Sequence, residues 1–304
     1  MPAPSDKGTL YLISTPIGNL QDITLRALEV LKKVDGVAAE DTRVSVRLLE
    51  AHGIRKTITP YHDHNRAWKE DVILQELKRG HSIALLTDAG TPGISDPGAI
   101  LVRRCQRDGI PVVPIPGPSA VTALLAAAGM DADAFVFVGF PPPKQGPRQE
   151  LFRLWAAAPG PVVFFEAPHR VFETLNDLLA VLGDREIAMG RELTKIHEEI
   201  RRGPVSELRE RFRDEPPRGE FVFAVAPGKT APVERTDDEI LAALRDLMKD
   251  DAVRRKDAVS AVANDLGVDR KRTYKLSLRL NAEAARGATL PGRPVKDSEP
   301  HEHP

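Results

Sequence analysis

Short unbroken apolar runs alternate with longer amphipathic stretches over the first half of the chain. Residues 9–15 (TLYLIST), 34–39, 82–87 (SIALLT) and 111–115 have the length and β-branched character of buried strands. Between them, residues 23–33, the stretch around 42–52, 99–108 and 119–128 space their apolar positions as helices do. Asp22 stands where it would cap the first of these helices, and Gly109 where it would stop the third. Strands separated by helix-length segments predict an α/β fold with a mostly parallel sheet covered on both faces.

The rhythm changes at residues 141–147 (PPPKQGP), which predict a linker because proline continues neither a helix nor a central strand. Beyond it, strands are expected around 162–165, 187–189 and 221–225, and helices at 149–157, 170–182 and 205–213. After Pro232 the composition shifts again. Residues 236–249 read as an acidic amphipathic helix with Leu241, Leu244 and Leu247 on one side. Residues 257–266, a break at Gly267, and 269–280 read as helix, turn, helix, with Asp269 capping the second. Val259, Val262, Leu266, Tyr274 and Leu278 are the expected small core. The organisation that follows is an α/β domain over 1–130, a second over 131–230, a basic helical appendage over 231–288, and a disordered tail over 289–304.

Lys and Arg total 43 against 44 acidic residues in 304, so the whole chain carries no excess charge for a polyanion. Charge matters locally instead. Between 252 and 286, Arg254, Arg255, Lys256, Arg270, Lys271, Arg272, Lys275, Arg279 and Arg286 outnumber Asp257, Asp265, Asp269 and Glu283. The single cysteine, Cys105, reads as a small buried side chain in a reducing compartment. No apolar stretch is long enough to span a bilayer, and residues 1–7 lack a secretory pattern, so a cytoplasmic protein with no membrane partner is expected.

Three loops at the ends of predicted strands are dense in Gly and Pro: residues 14–20, 88–98 and 116–120. Open α/β sheets bind ligands there. Neither GxxxxGK[ST] nor GxGxxG is present, and no lysine stands beside these glycines to meet a triphosphate. A phosphate-free ligand with an adenine, a ribose and a zwitterionic amino acid suits them better, although spacing alone equally describes plain tight turns. His62-Asp63-His64 lacks a second cluster at ligand spacing apart from His301 and His303, so no metal is expected, and loop polarity or RNA contact is the ordinary reading.

The segments STPIGNLQDIT (14–24), AEDTR (39–43), LLTDAGTPGISDPG (85–98), PGPSA (116–120), FFEAPHR (164–170), RELTKIHEE (191–199) and GEFVF (219–223) carry a resemblance. Together, and in order, they resemble the tetrapyrrole methylase superfamily. Within it they are most similar to the bacterial branch that methylates a cytidine ribose 2′-hydroxyl in the decoding region of 16S ribosomal RNA. Pro16, Ile17, Gly18 and Asn19 stand where the corrin and porphyrin branch has GxGxGD, which argues against a macrocycle substrate.

The resemblance implies a two-domain class III methyltransferase fold with a helix-turn-helix-like appendage, S-adenosylmethionine as cofactor, the 30S subunit as partner, and a homodimer. Carried over by position, the cofactor contacts are Thr15, Pro16, Gly18, Asp88, Ala89, Gly90, Gly93, Ile94, Ser95, Ser119, Ala120, Phe165 and Thr194. Lys195 or Glu166 is the expected base, and Arg43 and Arg170 would hold a phosphate beside the C-terminal cations Arg254, Arg255, Lys256, Arg270, Lys271, Arg272 and Lys275. Alternatively, Glu40, Arg43, Glu166 and Arg191 form a salt-bridge network between the domains, and His169 caps its helix. Two other functions stay open on the residues: methylation of a small molecule or protein side chain (corrin- or diphthine-type), and a non-catalytic S-adenosylmethionine sensor that binds nucleic acid.

Overall fold

The computed structural model describes residues 7–61, 66–96, 98–213, 217–228, 235–249 and 253–287. The chain falls into two compact units, Met1–Gly228 and Lys229–Pro304. In the first unit, β1 (Leu10–Ile13), β2 (Gly36–Ala39), β3 (Ile58–Pro60), β4 (Ile83–Leu86) and β5 (Val112–Ile115) form one sheet in the order β3-β2-β4-β1-β5. Every pairing in it is parallel. All four residues of β4 are buried, as expected of a central strand with helices on both faces.

Alternation along the strands divides the core. Ile13, Val37, Ala39, Ala84 and Leu86 pack with α1 (Leu25–Lys33) and α2 (Thr42–Ala51). Leu10, Ala38, Ile83 and Leu85 pack on the other side with α3 (Arg66–Lys78) and α4 (Ala99–Arg107). Cys105 of α4 is fully buried there, and burial pushes its thiol up to about 11, so it is an inert core residue. Asp22 does not cap α1. Thr24 does, accepting from the Ala27 N–H, because Asp22 closes a separate short turn at Leu20–Asp22.

The second sheet differs from the first. β6 (Val136–Phe137), β7 (Val162–Glu166), β8 (Glu186–Arg191), β9 (Glu199–Pro204) and β10 (Phe221–Val225) lie in the order β6-β7-β10-β8-β9. Only β6 and β7 run parallel; the other pairs are antiparallel. One face packs Phe164, Met189, Phe221 and Phe223 against α6 (Gln145–Leu154), α7 (Val171–Leu182) and α8 (Val205–Arg211). The other face is covered by α5 (Ala120–Ala128), whose Val121, Leu124, Leu125 and Ala128 meet Val163, Ala188, Val222 and Ala224. The helix that follows the last parallel strand thus serves the second sheet.

Residues 141–147 are not a free linker. α6 begins at Gln145, four residues before the expected helix, and Pro147 sits in its first turn, where a missing N–H costs nothing.

The second unit packs α9 (Asp237–Leu247), α10 (Arg255–Leu266) and α11 (Arg270–Gly287) around Ile240, Leu244, Val259, Val262 and Leu276. Thr236 and Glu239 form a capping box on α9, and the Asp269 carboxylate accepts from the Arg272 N–H at the start of α11. Tyr274 and Leu278, expected in this core, are 50% and 43% exposed, while Leu276 is buried in their place. Among the described residues, no helix is long and apolar enough to cross a membrane. His62, Asp63, His64 and the tail from residue 289, with His301 and His303, lie outside the described residues.

Candidate active site

The three Gly/Pro loops meet at the C-terminal ends of β1, β4 and β5 and are stitched by backbone bonds. Thr15 and Gly90 exchange N–H···O bonds of 2.8 and 3.1 Å. The Thr15 hydroxyl donates to the Thr87 carbonyl at 3.0 Å, and the Ser14 and Thr91 hydroxyls lie 2.9 Å apart. Thr15 is therefore a buried clasp between loops. Ser95, in the second loop, holds a φ of +61°, an uncommon conformation for a residue with a side chain.

From the second sheet, the turn after β8 faces the first loop. Glu192 and Thr194 also have positive φ, +50° and +66°. A Cβ built on Gly18 would stand 2.5 Å from Lys195 Cγ and 2.8 Å from both the Leu193 carbonyl oxygen and Thr194 Oγ1. Gly18 and Thr194, carried over as cofactor contacts, are thus placed where the two loops press together.

Between these loops lies a cleft of about 450 Å³. Of the residues carried over as cofactor contacts, Asp88, Ala89, Gly90, Ile94, Ser95, Ser119, Ala120 and Phe165 line it, whereas Thr15, Pro16, Gly18, Gly93 and Thr194 are not among its lining residues. Ile17 of the first loop also lines it, as do Asp96, Val121, Phe140, Leu193 and Glu220, which went unmarked in the sequence. Asp96 was within reach of the motif, and Phe140 and Val121 were not, because aromatic and branched residues at loop ends read as core. Phe165 packs against Phe137 and Phe140, with ring centroids 5.0 and 5.5 Å away. That gives the cleft an apolar wall.

Five carboxylates border the cleft, Glu40, Asp88, Asp96, Glu166 and Glu220, and among the described residues no Lys or Arg lines it. The Thr87 hydroxyl donates to Glu40 at 3.2 Å, and Asp88 accepts from the Asp41 N–H at 3.0 Å. Burial pushes the Asp96 carboxyl up to about 6 against a Thr87 hydrogen bond that pulls it down, and the Glu40 and Asp88 charges add to the rise.

The two residues expected as base are otherwise engaged. The Glu166 side chain has no exposed surface; it accepts from Thr174 Oγ1 at 2.6 Å and from the Ala167 N–H at 2.8 Å, and pairs with Arg170 at 3.1 Å. Arg170 also donates to the Pro141 carbonyl at 2.5 Å, so it braces the cleft wall rather than waiting for a phosphate. Lys195 lies 3.0 Å from Glu192 and 3.0 Å from Glu220. Burial alone would lower its ammonium, but the two carboxylates outweigh burial and hold it above the usual lysine value. A lysine that keeps its proton this firmly is a poor base.

The remaining charges form local pairs. The Arg43 fork is taken up by Asp41 at 2.5 Å, which holds the Asp41 carboxyl at about 2. Arg191 meets Glu199 at 3.7 Å and the Arg218 carbonyl at 2.7 Å. Glu40, Arg43, Glu166 and Arg191 therefore do not form one shared network, and His169, in the short turn ahead of α7, makes no capping bond. Among the described residues no cluster of His, Cys, Asp and Glu could hold a metal ion.

In the second unit, Arg254, Lys256, Arg270, Lys271 and Lys275 are exposed. Arg272 is committed to the fold, donating to Asp237 at 2.6 Å and to the Arg235 carbonyl at 2.9 Å. Arg255 is half-buried, and its Nε has no hydrogen-bond partner.

The cleft fits S-adenosylmethionine in charge and shape. An acidic end suits its sulfonium and ammonium, the aromatic wall suits a flat ring, and the first turn of α5, open at Ser119 and Ala120, suits a carboxylate. The profile of the Tetrapyrrole (Corrin/Porphyrin) Methylases matches residues 9–209. A Synechocystis relative is 43% identical over 280 residues, covering 91% of this chain and 99% of its own. One from Escherichia coli O157:H7 is 42% identical over 279 residues, covering 91% and 96%. Both are named ribosomal RNA small subunit methyltransferase I. The crystal structure of diphthine synthase is similar with a TM-score of 0.55 at 15% identity, over 72% of this chain and 90% of that one, a likeness of fold alone. The chain belongs to the tetrapyrrole (corrin/porphyrin) methylase family, whose cofactor is S-adenosylmethionine.

Proposed function

We propose that this chain methylates the 2′-hydroxyl of a cytidine ribose in 16S ribosomal RNA of the small subunit, using S-adenosylmethionine. The observation that carries the donor is the cleft bordered by five carboxylates and, among the described residues, lined by no cation. The RNA substrate is supported by the name its relatives bear and by the exposed cations of α10 and α11. The cytidine and the 2′-oxygen come from the motif resemblance. Bound in the cleft, the donor supplies an electrophilic methyl carbon: a C–O bond forms as the C–S bond breaks, and the hydroxyl proton leaves.

The chain's own residues do the rest. Phe165, Phe140 and Val121 exclude water around the flat ring, and the loops at Asp88–Ser95 fix the donor through their backbone. Asp96, poised near neutrality, replaces Glu166 and Lys195 as the proton acceptor. Lys195 remains an ammonium and orients Glu192 and Glu220.

A pH dependence follows. A cation or an acceptor role both require ionised Asp96, so donor affinity and kcat/KM rise with pH through about 6. If the bound cation restores an ordinary carboxyl value, affinity at pH 5 is about tenfold below its plateau. Calorimetric titration with S-adenosylmethionine at several pH values checks this, and the slope should vanish in Asp96→Asn. A wild-type titration flat between pH 5 and 8 would remove Asp96 from the site.

The function itself is tested with labelled S-adenosylmethionine and 30S subunits lacking the modification, with naked 16S RNA alongside. Label in 30S RNA, in an alkali-resistant linkage at one cytidine, is the expected result. Label in neither RNA, despite demonstrable cofactor binding, overturns the proposal. A cytoplasmic homodimer completes it, and sedimentation at micromolar concentration decides the dimer independently of the chemistry.

A further inference from the structure

The second unit exposes a surface that phosphate contacts alone do not use. α11 buries Thr273, Leu276 and Ser277. On the adjoining exposed face it carries Lys271, Tyr274, Lys275 and Leu278, the i, i+3, i+4, i+7 spacing of one helical stripe. Lys256 and Val259 of α10 complete a groove of about 670 Å³, with Asp269 and Arg270 at its end. A tyrosine ring 50% exposed and a leucine 43% exposed lie side by side along its floor.

The cations differ in their engagement. Arg272 is spent on Asp237, and Asp269 on the Arg272 N–H. Among the described residues, no carboxylate pairs with Lys256, Lys271, Lys275 or Arg270. An aromatic ring flanked by lysines that the fold does not use matches one chemistry closely: a base offers a flat π face, and its neighbouring phosphates offer the negative charge. A duplex hides base faces inside its stack, so the matching ligand is single-stranded.

We propose that this groove binds an unpaired nucleotide of RNA, its base stacked on Tyr274 and packed against Leu278, with flanking phosphates on Lys256, Lys271 and Lys275. The proposal rests on the RNA reading above and adds a base-stacking subsite to it. It also accounts for the position of Tyr274, which turns away from a core that has room for Leu276.

The test uses the full chain and a fluorescent single-stranded oligoribonucleotide, with an RNA duplex of equal length for comparison, and anisotropy titrations across a salt series. Tyr274→Ala is expected to weaken single-strand binding about 5- to 150-fold, the range of one lost base stack. The salt slope stays unchanged, because no phosphate contact is lost. Tyr274→Phe keeps the ring and binds like the wild type. Lys275→Ala instead lowers the single-strand salt slope by about 0.7. Duplex binding is indifferent to Tyr274→Ala. Thermal melts of each variant report folding separately.

Unchanged single-strand affinity in Tyr274→Ala overturns the subsite, as does an equal loss on duplex. Unchanged RNA affinity with a lost dimer would assign the groove to a second copy of the chain, and overturns it too. Methyl transfer to 30S RNA by the same wild-type preparation reports the broader function on its own, so the two can fail separately.

Discussion

Replacing Arg148 by methionine is expected to destabilise the first unit by about 3–5 kcal/mol, the cost of breaking a buried ion pair from one side. Arg148 and Asp177 are each 2% exposed at the side chain and meet at 2.6 Å. Asp177 also accepts from Gln145 at 3.0 Å and Gln149 at 2.8 Å, and Arg148 donates to the Pro143 carbonyl at 3.1 Å. Removing the cation strands a carboxylate among two amides in the core. Burial would raise the Asp177 carboxyl, but its hydrogen bonds from Gln149, Gln145 and Arg148 win and hold it below the usual value. A lowered value means that the stabilisation is full above the ordinary aspartate range and lost as pH falls through the depressed one. Urea unfolding at pH 7 measures the cost, and Arg148→Met with Asp177→Leu should recover most of it. A single-variant cost below about 1 kcal/mol would mean the pair is not the anchor described. The effect reaches the cleft, because the same segment supplies the Pro141 carbonyl that holds Arg170 against Glu166.

Gly18→Ala is expected to lower kcat/KM for methyl transfer about 100-fold while the protein stays folded. The new methyl group would stand 2.8 Å from the Leu193 carbonyl oxygen, closer than real Cβ atoms approach backbone. Lys195 can swing its chain aside, but Leu193 is buried and Thr194 is held at a φ of +66°. The two loops must therefore separate, and a displacement of the order of 1 Å between donor and acceptor is enough for such a loss. The stability cost is that of an overpacked contact, about 1–3 kcal/mol. Gly146→Ala is the control, since Gly146, like Gly18, lacks a positive φ and nothing lies within 4 Å of its added Cβ. Equal kcat/KM in wild type and Gly18→Ala would show that the loop contact is not needed for the reaction.

The first sheet was legible because its longer strands read as apolar runs, 82–87 most clearly, where all four residues of β4 are buried. The edge strands, β5 apart, were not. β9 runs Glu199-Ile200-Arg201-Arg202-Gly203-Pro204 with mostly exposed side chains, so no apolar alternation marks it. β6 is two residues long and β3 three, too short for any period to show. The linker expected at 141–147 failed for a definite reason: proline is excluded from helix interiors but welcome in the first turn, where Pro147 lies.

In the site, the DAGTPG loop announced itself through Gly and Pro, and it does line the cleft. The same density drew in Gly18 and Thr15, which the structure places in loop-to-loop contacts, because a glycine needed for such a contact looks in sequence like one needed for a ligand. Glu166 and Lys195 were singled out as ionisable groups in motifs. Arg170 and Glu192 stand in the same motifs as the groups they hold, but Thr174 and Glu220 lie outside them, and the motifs do not reveal those partners.

Local order along the chain thus determined the α/β character, the parallel first sheet, the three loops at its strand ends and the basic final helices. These depend on periodicity and turn chemistry, which act over a few residues. The tertiary structure alone decided that α5 covers the second sheet, that Glu166 and Lys195 are tied to partners, that Asp96 stands near neutrality, and that Tyr274 faces solvent. Burial, desolvation and ion pairing depend on which distant residues arrive beside a group, and no local pattern encodes that arrival.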